Sequence, residues 1–185
     1  MTQRSGGSRS ATGLRALLVL LFFWDSASSQ AADDEGQTVV VNRSTPFVLQ
    51  VTGLSPWGRL AVLAAYRRLK DPACTQVFLD FRDSSGRPLQ ARLDELGQTG
   101  QSYLGWIRFD HGWELGACRF PGVFAMTTPG SRVVRFCERF GQAVQSSPGA
   151  LANLVIHEEL HSLGLGENPP SSQEITRRVA SRCGS

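Results

Sequence analysis
The chain has 185 residues, 41% hydrophobic and 19% charged, with 19 Lys plus Arg against 16 Asp plus Glu, a formal net charge of +3 and only 3 His. That length holds one ordinary domain or two at most. The composition excludes wholesale disorder, collagen-like repeats and a multi-span membrane protein.

Residues 1–15 carry Arg4, Arg9 and Arg15 and no acid, Ala16 to Trp24 is an unbroken apolar run, and residues 26–32 are rich in small side chains. This is the pattern of a secretory signal peptide cleaved near Ala31. Asp25 ends the run far short of the roughly 20 apolar residues that span a bilayer. The expected organisation is a signal peptide over 1–31 and one domain over 32–185, secreted to an extracellular or periplasmic space, with no stable membrane insertion after cleavage. Removing the leader leaves 16 basic against 15 acidic residues. The basic balance therefore belongs to the leader, and no nucleic-acid partner is expected.

Cys74, Cys118, Cys137 and Cys183 form an even set without a C-x-x-C spacing, which in an exported chain implies two disulfides. Of three possible pairings, the expectation is Cys137 with Cys183, tying the C-terminal segment to the body, and Cys74 with Cys118.

In chain order, residues 33–37 are a polar entry tail, and Thr38 to Val41 and Phe47 to Val51 are β-branched runs around Ser44-Thr45-Pro46, hence strands. Asn42-Arg43-Ser44 has the form of a glycosylation acceptor but reads better as turn residues. Ser55-Pro56 is a cap followed by a helix-starting proline, predicting a helix over Trp57 to Lys70 closed by Asp71-Pro72. Thr75 to Phe81 alternates as a strand, and the turn Asp83-Ser84-Ser85-Gly86 leads into Arg87 to Leu93. Tyr103 to Phe109 and Arg132 to Phe136 are further strands, with a long loop from His111 to Gly130 between them. Arg67-Arg68 and Arg177-Arg178 read as solvated helix faces. Ser147-Pro148 repeats the cap-plus-proline signal, and Gly149 to Leu163 is helical in pattern until Gly164. Leu151, Val155, Ile156, Leu160 and Leu163 cover a broad arc of this helix, so it is central to its domain.

The opposite quarter of that helix carries His157, Glu158 and His161, in the form H-E-x-x-H. Residues four apart lie one turn apart on one face, so both imidazoles reach one ion while the carboxylate between them lies beside the open coordination position. Zinc there would lower the pKa of its water to about 7, and Glu158 would take the proton. His111 has no partner at ligand spacing and reads as a loop residue beside Asp110.

The longer run His157-Glu-Glu-Leu-His161-Ser-Leu-Gly164-Leu-Gly166-Glu167 resembles the signature of the metzincin metallopeptidases, especially the matrixin branch. In that pattern a left-handed glycine ends the helix and a side chain three residues later returns to the ion. The position is histidine in most of the family and Glu167 here; a carboxylate is an acceptable zinc ligand. The resemblance implies His157, His161 and Glu167 as ligands of Zn2+, Glu158 as general base, and a peptide or protein substrate. It implies a mixed α/β (α+β) zincin-like domain: a twisted sheet, an N-terminal helix, an antiparallel edge strand lining the cleft, and a central active-site helix. Arg132 to Phe136 takes the edge-strand position.

The chain departs from the family pattern in having no methionine after Met126 and only 18 residues after Glu167, so it is either a minimal, divergent member or the similarity is local. A gluzincin-like arrangement would make Glu174 the third ligand instead. Ser171-Ser172-Gln173-Glu174, however, is an S-x-x-E capping box that already explains Glu174, and Glu167 has no comparable local task. The alternative from another class is an exported, disulfide-stabilised binding domain whose metal site is structural or absent.

Overall fold
Helix starts dominate the local structure. The computed structural model describes residues 48, 50–51, 54–140 and 148–184; the expected signal peptide, entry tail, first strand and Asn42-Arg43-Ser44 lie outside these. Helix α1 (Pro56–Arg68) begins as its sequence dictates, the Ser55 hydroxyl accepting from the Gly58 amide. The same device operates again just after α1, where it was not expected: Asp71 accepts from the Ala73 amide ahead of Pro72. Thr75 to Phe81 is accordingly no strand. It is two short helices, α2 (Pro72–Thr75) and α3 (Val77–Asp80). Cys74, Val77, Phe78 and Phe81, at spacings of three, four and seven, are all buried, while Leu79 is exposed, which is helical periodicity.

The segment after the Asp83 turn is likewise helical, as α4 (Leu89–Glu95) with Leu89 and Leu93 buried; the strand-like pairing there is one bridge, Arg82 to Pro88. Most of Tyr103 to Phe109 is also not strand. Thr99 and Ser102 cap each other's backbone to start α5 (Gly100–Tyr103), a 3-10 turn covers Leu104–Trp106, and strand β2 begins only at Arg108. Gly100 packs against the Phe78 ring so closely that an added Cβ would lie 2.2 Å from Cε2.

The sheet has four strands in the order β1-β2-β4-β3: β1 (Gln50–Val51), β2 (Arg108–His111), β3 (Ala125–Thr127) and β4 (Val133–Phe136). β1, β2 and β4 run parallel, and β3 pairs antiparallel with β4, Thr127 facing Val134 and Ala125 facing Phe136. The antiparallel edge strand is thus β3, inside what reads as a long loop. Arg132 to Phe136 is not the edge; it lies between β2 and β3. The β3–β4 turn is closed by the Ser131 amide donating to Thr128, and the Gly130 amide donates to the His161 carbonyl at 2.9 Å.

Helix α6 (Pro148–Ser162) packs on α1, β3, β4 and the last helix, α7 (Ser172–Cys183), so it is central, as its apolar arc predicts. The result is a mixed α+β domain whose core joins Phe109, Val134 and Phe136 of the sheet to Val155, Ile156 and Leu160 of α6 and Ile175 and Val179 of α7. Among the described residues no helix is long and apolar enough to cross a membrane.

Two disulfides form, but not in the expected pairing: Cys74 joins Cys183 and Cys118 joins Cys137. With residues 72–80 helical, α2 and α3 lie against α7, and Asp80 accepts two hydrogen bonds from Arg182 at 2.8 Å, which brings Cys74 to Cys183. The β3–β4 ladder carries Cys137 alongside Phe124, within reach of Cys118. Arg68 is not a solvated residue either. Its guanidinium donates to the carbonyls of Gly149 and Gly184 and to the Asn153 side chain.

Closing a loop of 109 residues constrains the unfolded chain more than closing one of 19. Replacing Cys74 and Cys183 by Ala should cost about 5 kcal/mol, and replacing Cys118 and Cys137 about 3 kcal/mol. Urea unfolding that reverses the order would refute the ranking. The Arg182 hydrogen bonds hold the Asp80 carboxyl below its usual range, against opposing desolvation. Their stabilisation is present above the unfolded pKa of about 3.9 and is lost as pH falls through the lower folded value. Asp80→Asn should therefore flatten the acid limb of the stability curve, and an unchanged limb would count against the pair.

Candidate metal centre
The site is built from one turn of α6 and the chain reversal after it. Gly164, at φ 111°, ends the helix in the left-handed region, its amide donating to the His161 carbonyl at 2.9 Å and that of Leu165 to the Leu160 carbonyl at 3.1 Å. The reversal points the Leu165 carbonyl back at His161, whose Nδ1 lies 2.8 Å from it. A carbonyl only accepts, so Nδ1 carries the proton and Nε2 presents a lone pair. On His157 the Nδ1 lies 3.1 Å from the Thr176 hydroxyl of α7. The two Nε2 atoms converge to 3.0 Å.

Glu167 completes the convergence. Its Oε1 lies 3.3 Å from Nε2 of His161 and 3.6 Å from Nε2 of His157. Among the described residues these three form the one group of three or more His, Cys, Asp or Glu side chains that could share an ion. A tetrahedral zinc with bonds of 2.0–2.2 Å holds neighbouring ligand atoms about 3.3–3.6 Å apart; the two Glu167 separations lie in that range, and the Nε2–Nε2 separation of 3.0 Å is shorter than it. Glu174 is not in the group. It sits in the first turn of α7, where the Ser171 hydroxyl accepts from its amide at 3.3 Å, which is half of the expected capping box. His111 closes β2 against the Trp113 ring, centroids 4.5 Å apart, and is also outside the group.

Burial sets the electrostatics. His157, Glu158 and His161 are 3%, 3% and 5% exposed, whereas the Glu167 side chain is 37% exposed, so the group opens to solvent on that side. Burial, reinforced by His161 and opposed by Glu167, lowers the pKa of His157 to about 4. It is therefore neutral at physiological pH, as a metal ligand must be. Burial pushes Glu158 up to about 7, with the Glu167 charge adding to the shift. Glu158 Oε2 and Thr127 Oγ1 are buried without a hydrogen-bond partner among the described residues. Thr127 belongs to the edge strand that was read as loop, and Thr176 belongs to no recognisable motif; neither was legible as a site residue.

Glu159 is a separate case. It is fully buried, neither oxygen has a partner among the described residues, and burial raises its pKa well above the ordinary value. Comparison with known proteins finds no matching family model, curated protein or solved structure, so the chemistry rests on this geometry.

A buried carboxyl without a partner opposes folding. In the metal-free protein, Glu159→Met keeps the side-chain length and should raise the unfolding free energy at pH 7 by about 1–3 kcal/mol. A loss of stability in urea titration would show that the carboxyl has a role of its own.

Proposed function
We propose that this protein is a secreted zinc-dependent peptidase of a minimal metzincin-like type, in which His157, His161 and Glu167 hold the metal and Glu158 is the general base. The observation that supports this reading is the convergence of two Nε2 atoms and one carboxylate oxygen at 3.0, 3.3 and 3.6 Å, close enough to share one ion. Structural zinc sites are usually closed by four protein ligands, whereas catalytic ones keep a position open. Among the described residues the group here has three. Zinc bound there supplies a Lewis acid that acidifies water and polarises a carbonyl.

The chain's own residues do the rest. Glu158 takes the proton of the attacking water and returns it to the departing amine. Leu165 and Thr176 hold the two imidazoles in orientation. The antiparallel edge strand β3 packs beside α6, the arrangement a zincin-like fold requires for an extended substrate. The two disulfides suit an oxidising compartment, in keeping with the signal-peptide pattern.

The purified chain should carry about one zinc per molecule by elemental analysis, and His161→Ala should lose it. Glu158→Gln should keep the zinc and lower peptide cleavage by about 10²–10⁴-fold. Full zinc occupancy in a protein that cleaves nothing in a broad peptide library would instead identify an exported binding domain with a structural metal.

A further inference from the structure
A metal-binding imidazole needs its second nitrogen held, because that hydrogen bond fixes both the tautomer and the ring's orientation. The two histidines of this site meet the need differently. His161 is served locally, by the Leu165 carbonyl four residues on. His157 is served from another element, by the hydroxyl of Thr176, 19 residues downstream on α7.

We propose that Thr176 is the positioning residue of His157, and that through it the C-terminal helix sets the metal affinity of the site. The inference rests on the reading of His157, His161 and Glu167 as ligands. When Nε2 of His157 faces the convergence point, Nδ1 carries the proton and needs an acceptor, and the Thr176 Oγ1 at 3.1 Å is that acceptor.

The placement of Thr176 is over-determined. Ser171 caps the start of α7, Ile175 and Val179 bury its inner stripe, Arg182 grips Asp80, and Cys183 is bonded to Cys74. With Ile175 and Val179 in the core, the residue at 176 lies about 100° around the helix from 175, on the flank that meets His157. Thr176 is itself exposed, so it adds little to the core, and its hydrogen bond to His157 is its distinguishing contact.

The test compares the full chain with Thr176→Val, which keeps the shape and removes the acceptor, and with Thr176→Ser, which keeps the hydroxyl. Zinc affinity is read by competition with a chromophoric chelator, and thermal unfolding is followed on the metal-free proteins. Thr176→Val should bind zinc about 10–100-fold more weakly, Thr176→Ser should stay within about threefold of wild type by retaining the acceptor, and the metal-free proteins should all unfold cooperatively, Thr176→Val with a midpoint lowered by the lost hydrogen bond. Wild-type affinity in Thr176→Val, or equal weakening in Thr176→Ser, would overturn the role of Thr176 while leaving the zinc site standing. A wild-type chain that binds no zinc would overturn both.

Discussion
Helix α6 is surrounded on all sides, yet it carries six polar residues that water hardly reaches: Asn153, His157, Glu158, Glu159, His161 and Ser162. Polar groups in such a place destabilise the fold unless each finds a partner, and much of the surrounding structure answers to that constraint. Asn153 donates to the Gly184 carbonyl and accepts from Arg68, which draws in the end of the chain. Ser162 donates to the Glu159 carbonyl, and its own carbonyl accepts from the Tyr103 hydroxyl. The two imidazoles take Thr176 and Leu165. Among the described residues, one oxygen of Glu158 and both of Glu159 find no partner, and the inward nitrogens of the histidine pair face each other and Glu167.

The same constraint explains why the C-terminal helix is so heavily fastened. α7 contributes Ile175 and Val179 to the core and a hydroxyl to His157, and its far end is held by a disulfide, a bidentate Asp80–Arg182 pair and the Gly184 carbonyl contacts. These fastenings reach α2, α3, α1 and α6, so the helix that completes the histidine environment is tied to most of the helical layer. In this chain Thr176 of α7 is the downstream residue that supports a histidine of the pair.

What the sequence disclosed, and what it hid, follows the range of the interactions involved. The cap-plus-proline signals at Ser55-Pro56 and Ser147-Pro148 and the Gly164 stop are local, and they placed α1 and α6 within about two residues. The histidine pair and Glu167 were legible because helical spacing followed by a left-handed turn brings them together with little help from elsewhere. The strand expected over Thr75 to Phe81 failed because Thr75, Val77, Leu79 and Phe81 alternate while Cys74, Val77, Phe78 and Phe81 fit a helix; the Asp71-Pro72 cap would have decided it. Strand β3 failed because three residues, Ala125–Thr127, owe their extended state to β4 rather than to their own propensity. The disulfide pairing was hidden as well, because Cys74 meets Cys183 only once α2 and α3 have docked on α7.

Thr176 is the extreme case of the same rule. Nothing in Glu-Ile-Thr-Arg-Arg marks the threonine, because its relation to His157 exists only once α7 has docked on α6. A helix that docks through two apolar residues one turn apart has its rotation fixed by them, and Ile175 and Val179 are both fully buried. The side chain at 176 is then committed to one flank, and a polar group on that flank meets an imidazole whose N–H would otherwise lack a protein acceptor. The orientation of the His157 ring is therefore a property of how α7 packs, and not of the eleven-residue run alone.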